Sequence, residues 1–446
     1  MFAYRPLGLI LILASVALPL VWFLPLAAAR DPLAVLSHYL GSAALILMGL
    51  SQLMATRWPG VESIFGGLDR VYVLHKWVGI AALALVLLHD TIDADIRGLG
   101  DGSALEEFAE TLGEISLYGL LILVVLSIAT FVPYRLWYRT HQFMGAFFAA
   151  SAIHFLFIAK PFAIADPPGI YVGAFCLLGV VAYAWTLLPA RRFARERPYV
   201  VAQVEQSGAA VAVTLQPEGR RMRHRPGQFA FLRFDMPGLH AAHPFTISGA
   251  PAPDGRLRFS IKPEGEWTGA LSGALAKGAT ARVEGPYGHF TPRGGSDAQV
   301  WIAAGIGITP FLAWANALAA DAAPVHLFYC VRTRADAAHL EEVEALAESK
   351  PALHLHLVES ATSGRLNAAM IQQRSGVDLA RIHVFFCGPA IMRESLQESL
   401  SRLGVRPSRF HFEQFEMRSG IGLRKLAGWL TEAVLRRLGK EPAVLH

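Results

Sequence analysis

Cysteine is nearly missing from this chain of 446 residues. Only Cys176, Cys330 and Cys387 occur, and no two form a CxxC pair. That argues against a disulfide framework and against a structural zinc site. Three thiolates cannot supply a four-cysteine iron–sulfur cluster, and the lack of CxxCH removes covalent c-type haem attachment. Charge is also scarce, at 17% of residues where a soluble domain carries about 25%. The formal net charge is only +5, and no dense Lys/Arg stripe with interleaved aromatics appears, so nucleic acid is not an expected partner. Apolar residues take the place of charge, at 53% against about 45–50% in ordinary domains. The excess is confined to residues 1–190. Residues 191–446 are an ordinary soluble mixture.

A membrane helix needs about 20 mainly apolar residues. Six stretches qualify: 7–29, 34–55, 71–89, 115–133, 141–160 and 169–189. The first ends in AAARDP, a plausible cleavage point, so a signal peptide is the alternative to a retained helix. Its apolar run is longer than a usual signal core, which favours retention. Positive charge sets the orientation. Arg135 and Arg139 stand without an acid in 134–140, and Arg191, Arg192, Arg195 and Arg197 face only Glu196 after the sixth stretch. The loop 90–114 carries eight acids and only Arg97. The expectation is an integral plasma (inner) membrane protein with 90–114 outside and the C-terminal half in the cytoplasm.

Two of the stretches hold paired histidines. VYVLHKWVGIAALALVLLHD carries His75 and His89, and HQFMGAFFAASAIHFLFIAK carries His141 and His154. Ionisable side chains inside spans are functional by default. A step of 14 residues climbs about 21 Å along a helix, most of the hydrocarbon thickness. Each helix therefore offers one imidazole near either face. His75 with His141, and His89 with His154, can ligate two stacked b-type haems through both axial positions; the alternative is that each is a hydrogen-bonded bundle residue. Iron with no open site suits electron transfer. The step from His141 to His154 misses its own helix face by about 140°. A π-bulge or local unwinding corrects such a phase error, and Gly145 is the expected locus. His38 has no partner at this spacing and is either structural or part of an outer acceptor site.

Residues 198–295 alternate short β-rich runs with turns, as a small antiparallel barrel does. PYVVAQVEQSGAAVAVTLQP is a hairpin pattern, and RPGQFAFLRF a turn and a strand. HPFTISGAP follows from His243, and VEGPYGHF closes the series. Here the chain resembles the NADPH oxidase and ferric reductase superfamily, in which a membrane haem domain is fused to a ferredoxin reductase-type module. The resemblance makes His243, Pro244, Phe245, Thr246, Ile247 and Ser248 the flavin signature, with Thr246 against the polar edge of the isoalloxazine. Many soluble relatives have arginine where His243 stands. The FAD diphosphate then needs another cation, and Lys262 is the candidate. The helix expected to open at Trp267 and Thr268 offers amides to the same phosphates.

Residues 299–416 read as βα units. QVWIAAGIGITPFLAWANAL is strand, glycine turn and helix, and the helix N-terminus suits a pyrophosphate. The family carries GxGxTP here, matched by Gly305, Gly307, Thr309 and Pro310. The strand VHLFYCVRTR ends on Arg332 and Arg334, whose guanidiniums can hold a 2′-phosphate, favouring NADPH over NADH; solvated loop charges are the alternative. HVFFCGPAIM gives Cys387, Gly388 and Pro389, which the family places beside the nicotinamide; a buried inert thiol is the alternative for Cys387. Relatives stack an aromatic residue on the flavin face near the chain end, which points to Phe415, with Phe412 second. GLRKLAGWLTEAVLRRLGK then suits either a helix lying on a lipid surface or one packed on the soluble domain.

The expected architecture is a six-helix transmembrane di-haem domain (1–190), an antiparallel β-barrel FAD domain (191–296), an α/β NAD(P)-binding domain (297–416) and an amphipathic helical extension (417–446). The resemblance implies an NAD(P)H-dependent flavohaem oxidoreductase, with Thr246, Cys387 and Phe415 at the point of hydride transfer. Electrons would cross from cytoplasmic NAD(P)H through FAD and both haems to an outer acceptor. Ferric iron or another metal chelate ranks first, ahead of dioxygen giving superoxide. A haem-binding membrane subunit that serves a redox partner protein is the rival; the flavin and nicotinamide motifs on the same chain stand against it.

Overall fold

The computed structural model describes residues 6–92, 103–128, 132, 134–188, 195–292 and 297–413. The chain divides into a helical unit, drawn from residues 6–65 and 70–187, and a mixed unit, drawn chiefly from 188–413.

The helical unit contains α1 (Pro6–Ala17), α2 (Leu20–Ala29), α3 (Pro32–Ala55), α4 (Pro59–Phe65), α5 (Leu68–Thr91), α6 (Ala104–Ile128), α7 (Tyr134–Gln142), α8 (Met144–Phe157) and α9 (Pro167–Leu187). Among the described residues, five stretches are long and apolar enough to cross a membrane: Leu7–Ala29, Pro32–Ala55, Leu68–Thr91, Ala104–Ile128 and Pro167–Leu187. Local chemistry sets the start of α3. The Asp31 carboxylate accepts from the amides of Leu33 and Ala34 at 2.8 and 3.0 Å, with Pro32 in the first turn, which satisfies donors that the helix cannot. Small residues bring α3 and α9 together: a Cβ on Gly49 would strike the Phe175 carbonyl, and one on Gly179 would lie 2.8 Å from the Gly49 Cα. Close backbone approach of this kind is how helices associate in lipid.

Two expectations are corrected. The fourth stretch begins at Ala104 rather than 115, so Glu106, Glu107, Glu110 and Glu114 belong to α6 and not to a loop. The fifth stretch, expected at 141–160, is not one long helix. It breaks at Phe143 into α7 and the 14-residue α8, and 14 residues rise only about 21 Å against a hydrocarbon core of about 30 Å. The phase between His141 and His154 is therefore reset, at Phe143 rather than Gly145. Gly145 instead admits the Tyr183 ring of α9, which any Cβ would strike.

The mixed unit opens with six antiparallel strands: β1 (Glu196–Ser207), β2 (Ala210–Pro217), β3 (Phe229–Phe234), β4 (His243–Thr246), β5 (Leu257–Ile261) and β6 (Thr280–Tyr287). Their order is β4-β3-β6-β1-β2-β5. The two edge strands also meet, through the bridge of Ile247 with Phe259 and a 2.8 Å bond from the Ser248 amide to the Arg258 carbonyl. Helix α10 (Glu266–Ala274) follows β5. Val213, Leu215, Phe234, Ile247 and Phe259 fill the interior.

A five-stranded parallel sheet comes next: β7 (Gln299–Ala304), β8 (Val325–Val331), β9 (Leu353–Glu359), β10 (His383–Cys387) and β11 (Phe410–Phe412), in the order β11-β10-β7-β8-β9. Helices α11 (Thr309–Asn316), α12 (Leu340–Ser349), α13 (Ala368–Ser375) and α14 (Ala390–Arg402) accompany it. Apolar clusters cover the sheet on both faces, as a parallel sheet requires. The chain runs outward from β7 to β9 and returns to β10 on the other side of β7. The C-terminal ends of β7 and β10 thus flank a topological switch point, where open α/β sheets bind their ligands. The expected extension at 417–446 lies outside the described residues.

Candidate functional site

His75 and His89 lie on α5, His141 on α7 and His154 on α8. The His75 and His141 rings are 6.0 Å apart between centroids. Two metal–nitrogen bonds of about 2 Å and two ring radii of about 1 Å span that gap. The hydrogen bonds at Nδ1 are more telling. His154 donates to the Ala109 carbonyl at 2.8 Å, and His75 reaches the Ser51 carbonyl at 3.0 Å. A carbonyl only accepts, so both Nδ1 atoms carry the proton. His89 meets the Ser37 hydroxyl at 2.7 Å, and that hydroxyl gives its own proton to the His89 carbonyl at 3.1 Å. His141 meets Ser127 at 3.0 Å, and Ser127 donates to the Leu123 carbonyl at 2.7 Å. When each serine proton goes to its carbonyl, Nδ1 is the donor at His89 and His141 as well. Nε2 keeps its lone pair, and no hydrogen bond to it occurs among the described residues. Metal-ligating histidines are oriented in this way. The residues fit a haem with two axial imidazoles.

A cavity of ≈ 370 Å³ includes His89, His154, His38, Glu110, Glu114 and Lys160 in its wall. Two glycines make room for its imidazoles. A Cβ on Gly41 would lie 3.2 Å from His89 Cδ2, and one on Gly113 would lie 2.8 Å from His154 Nδ1. His38 thus shares the cavity of the second histidine pair.

In the mixed unit, Thr246 ends β4 and is buried, and its Oγ1 has no hydrogen-bond partner among the described residues. An orphaned buried hydroxyl costs about 1–3 kcal/mol, so it marks a place where a polar ligand edge fits. Pro244 and Phe245 share the strand, Ile247 makes the edge bridge, and the Ser248 hydroxyl bonds to Ser260 at 2.9 Å. Trp267 is a core residue, stacked on Phe245 at 5.5 Å and 4.6 Å from the His243 ring. Burial lowers the His243 pKa, which keeps the imidazole neutral near pH 7. Lys262 pairs with Glu264 at 2.7 Å, both side chains being exposed. The Thr268 hydroxyl caps its own helix by accepting from the Gly265 amide at 2.9 Å.

The loops after β7 and β10 are pressed together at the switch point. Gly305 has φ +55°, a Cβ on Gly307 would strike the Cys387 carbonyl, and one on Gly388 would lie 2.6 Å from the Ala304 Cβ. Thr309 and Pro310 open α11, and Pro389 precedes α14. Cys387 is fully buried, and burial raises its thiol well above the usual range, so it is a neutral group and not a thiolate. Arg332 is exposed, while Arg334 is bound to Glu344 at 2.6 Å. Phe412 lies under the Arg393 guanidinium at 4.4 Å. Phe415 lies outside the described residues.

Sequence reading passed over Glu413. This carboxyl is buried beside Cys387, its Oε2 has no partner among the described residues, and burial raises its pKa well above the carboxylate range. A Cβ on Gly288 would come within 3.6 Å of its Oε1. An acid closing the last strand, two residues from an aromatic, was the available signal.

Three family models match the chain in order. These are a ferric reductase like transmembrane component over residues 40–152, an FAD-binding domain over 200–291 and an oxidoreductase NAD-binding domain over 301–398. A membrane component joined to FAD- and NAD-binding domains defines the class. The chain has the architecture of the ferric reductase/NADPH oxidase superfamily. It is 29% identical over 218 residues to the stachydrine N-demethylase reductase subunit of Rhizobium meliloti (strain 1021), covering 46% of this chain and 62% of that protein. It is 27% identical over 241 residues to a flavohemoprotein of Burkholderia sp. (strain TH2), covering 50% and 60%. The chain thus spans less than two thirds of these curated relatives. Among solved structures, it is similar to the flavohem-like FAD/NAD binding domain of nitric oxide dioxygenase from Vibrio cholerae O1 biovar El Tor. The TM-score is 0.44 and the identity 22%, over 49% of this chain and 98% of that one.

Proposed function

We propose that this chain moves electrons from cytoplasmic NAD(P)H, through FAD and two bis-histidine b-type haems, to an acceptor outside the plasma (inner) membrane. When bound, FAD accepts a hydride and passes on single electrons, which the haems relay. The chain's own residues bind, orient and insulate these groups. We read residues 1–190 as the haem domain, with His75 and His141 as the inner ligands and His89 and His154 as the outer ones. Ser37, Ser51, Ser127 and the Ala109 carbonyl fix the imidazole tautomers. We read 191–296 as a closed flavin barrel in which Thr246 meets the isoalloxazine edge, and 297–416 as the NAD(P) domain. There Gly307 and Gly388 let the two loops close on each other, and the nicotinamide lies beside Cys387. Neutral Glu413 and Cys387 keep this pocket free of negative charge.

The observation that carries the reading is the common arrangement of the four imidazoles, each engaged through Nδ1 with Nε2 left over. Core histidines serving only structure would have no reason to share it. For the acceptor, Asp90, Glu110 and Glu114 outnumber Lys160 in the cavity wall, a balance that draws cations and favours a ferric or other metal species. The test uses the purified chain in detergent, supplied with NADPH or NADH and offered ferric chelate, quinone, or cytochrome c with and without superoxide dismutase. Ferric reduction insensitive to the dismutase is the expected result. Dismutase-sensitive cytochrome c reduction would replace the metal acceptor with dioxygen. A chain that oxidises no nicotinamide would be the haem subunit of a partner system.

A further inference from the structure

The flavin and nicotinamide modules, both inside the mixed unit, are joined by a ring of polar contacts away from the residues read as touching flavin and nicotinamide. Arg258 on β5 grips Glu342 on α12 with two prongs, NH1 to Oε2 and NH2 to Oε1, each at 2.9 Å. Asn316 adds a bond to Oε1 at 3.1 Å, and His339 Nδ1 stands 3.4 Å from Oε2. The other face of the His339 ring, Nε2, bonds to the Ser260 hydroxyl at 2.7 Å. Ser260 bonds to Ser248 at 2.9 Å, and Ser248 closes the ring on the Arg258 carbonyl at 3.1 Å. Arg258 NH2 also reaches the Ser248 carbonyl at 3.3 Å.

The ring is over-determined on the nucleotide side. His339 has φ 56°, a left-handed conformation uncommon for a residue with a side chain. Such a residue persists where its surroundings hold it from several directions. Its amide donates to Ser207 Oγ at 2.8 Å, and the adjoining Ala337 carbonyl lies where a Cβ on Gly208 would come within 2.6 Å. Ser207 and Gly208 form the β1–β2 turn. The segment 337–342 is thus tied to the flavin module at the turn, at β5 and at Ser248, which lies two residues beyond Thr246.

We propose that the Arg258–Glu342–His339–Ser260 ring is the joint that sets the nicotinamide module against the flavin, and that Arg258 and Glu342 are positioning residues for hydride transfer. A two-pronged guanidinium–carboxylate pair fixes angle as well as distance. A misplacement of about 1 Å in such a reaction costs about a hundredfold in rate. The proposal rests on the flavin and nicotinamide reading above.

The test is anaerobic stopped-flow reduction of bound FAD by NADPH in the full-length chain, comparing wild type, Glu342→Gln, Arg258→Lys and the double variant. Each single change is expected to slow flavin reduction at saturating NADPH by roughly tenfold to a hundredfold. FAD content should be unchanged and KM altered less than about threefold. The double variant should be no slower than the slower single, because both changes break one unit. If Glu342→Gln proves unstable, Arg258→Lys, which keeps the charge and loses the fork, carries the test alone. Flavin reduction at the wild-type rate, even with a lowered melting temperature, overturns the joint, and so do losses that multiply in the double variant. A wild-type chain whose FAD is not reduced by either nucleotide overturns the functional reading first, and the joint with it.

Discussion

Replacing Gly113 by alanine should evict the outer haem and spare the inner one. The added Cβ would stand 2.8 Å from His154 Nδ1 and 3.0 Å from Cε1, where ordinary contacts begin at 3.4 Å. The ring must give way by roughly 0.6 Å (3.4 − 2.8), more than the roughly 0.4 Å by which its 2.8 Å bond to the Ala109 carbonyl can lengthen before the limit of about 3.2 Å for an N–H···O bond. Loss of a ligand's orienting bond typically weakens metal affinity by about 10–100-fold, or about 1.4–2.8 kcal/mol. The helix itself gains from the change, since glycine inside a helix costs about 1 kcal/mol relative to alanine. A folding defect would therefore not be the cause. Gly79 on α5 is the control, because a Cβ there meets nothing within 4 Å. Haem per polypeptide, measured as the pyridine haemochrome, should fall from two toward one in Gly113→Ala and stay at two in Gly79→Ala. The surviving haem should keep its midpoint potential. Two haems with both potentials unchanged in Gly113→Ala would refute the reasoning.

Three further outcomes are expected. Thr246→Val should cut FAD affinity by roughly tenfold, as loss of a buried hydrogen bond to a ligand does; FAD retention on gel filtration checks this, and tighter retention would mean that the orphaned hydroxyl serves no flavin. Arg332→Ala should raise the KM for NADPH well beyond that for NADH. Arg334→Ala should do so less, because Arg334 is engaged by Glu344 at 2.6 Å, and equal losses for both nucleotides would remove the 2′-phosphate assignment. Glu342 is held at about 2 against an ordinary 4.5; burial opposes the shift, and the bonds from His339 and Arg258 overcome it. A depressed folded-state value stabilises above the unfolded pKa and is lost as pH falls through the folded one. Glu342→Gln should therefore lower the melting temperature at pH 7, with a deficit that shrinks between about pH 4.5 and pH 2.

The sequence showed most where a motif and its periodicity coincide. GIGITP and CGP could be read as ligand loops, and the sheet order then explains why two segments some eighty residues apart meet: each leaves the C-terminal end of a strand beside the switch point. The four histidines were legible from spacing, including the phase conflict between His141 and His154. Its resolution at Phe143 was not, because no proline or glycine marks that residue, while nearby Gly145 is spent on helix packing against Tyr183. Hydropathy placed the start of α6 late, since Glu106, Glu107, Glu110 and Glu114 lower the local average although they continue the helix. Lys262 carries the right charge for a diphosphate, and the pattern does not announce that it pairs with Glu264, two residues on. Glu413 and the ring through His339 depend on strands and loops distant in sequence, and no local period announces them.

Whether NADPH alone reduces two haems in the purified chain tests the central claim most directly. The measurement is an anaerobic visible spectrum of the detergent-solubilised protein, with FAD and haem quantified beforehand. The account predicts one FAD and two six-coordinate low-spin b-type haems per polypeptide, all reduced by added NAD(P)H without a partner protein. A chain that binds FAD and oxidises NAD(P)H but carries no haem, or whose haem NAD(P)H cannot reduce, would contradict it.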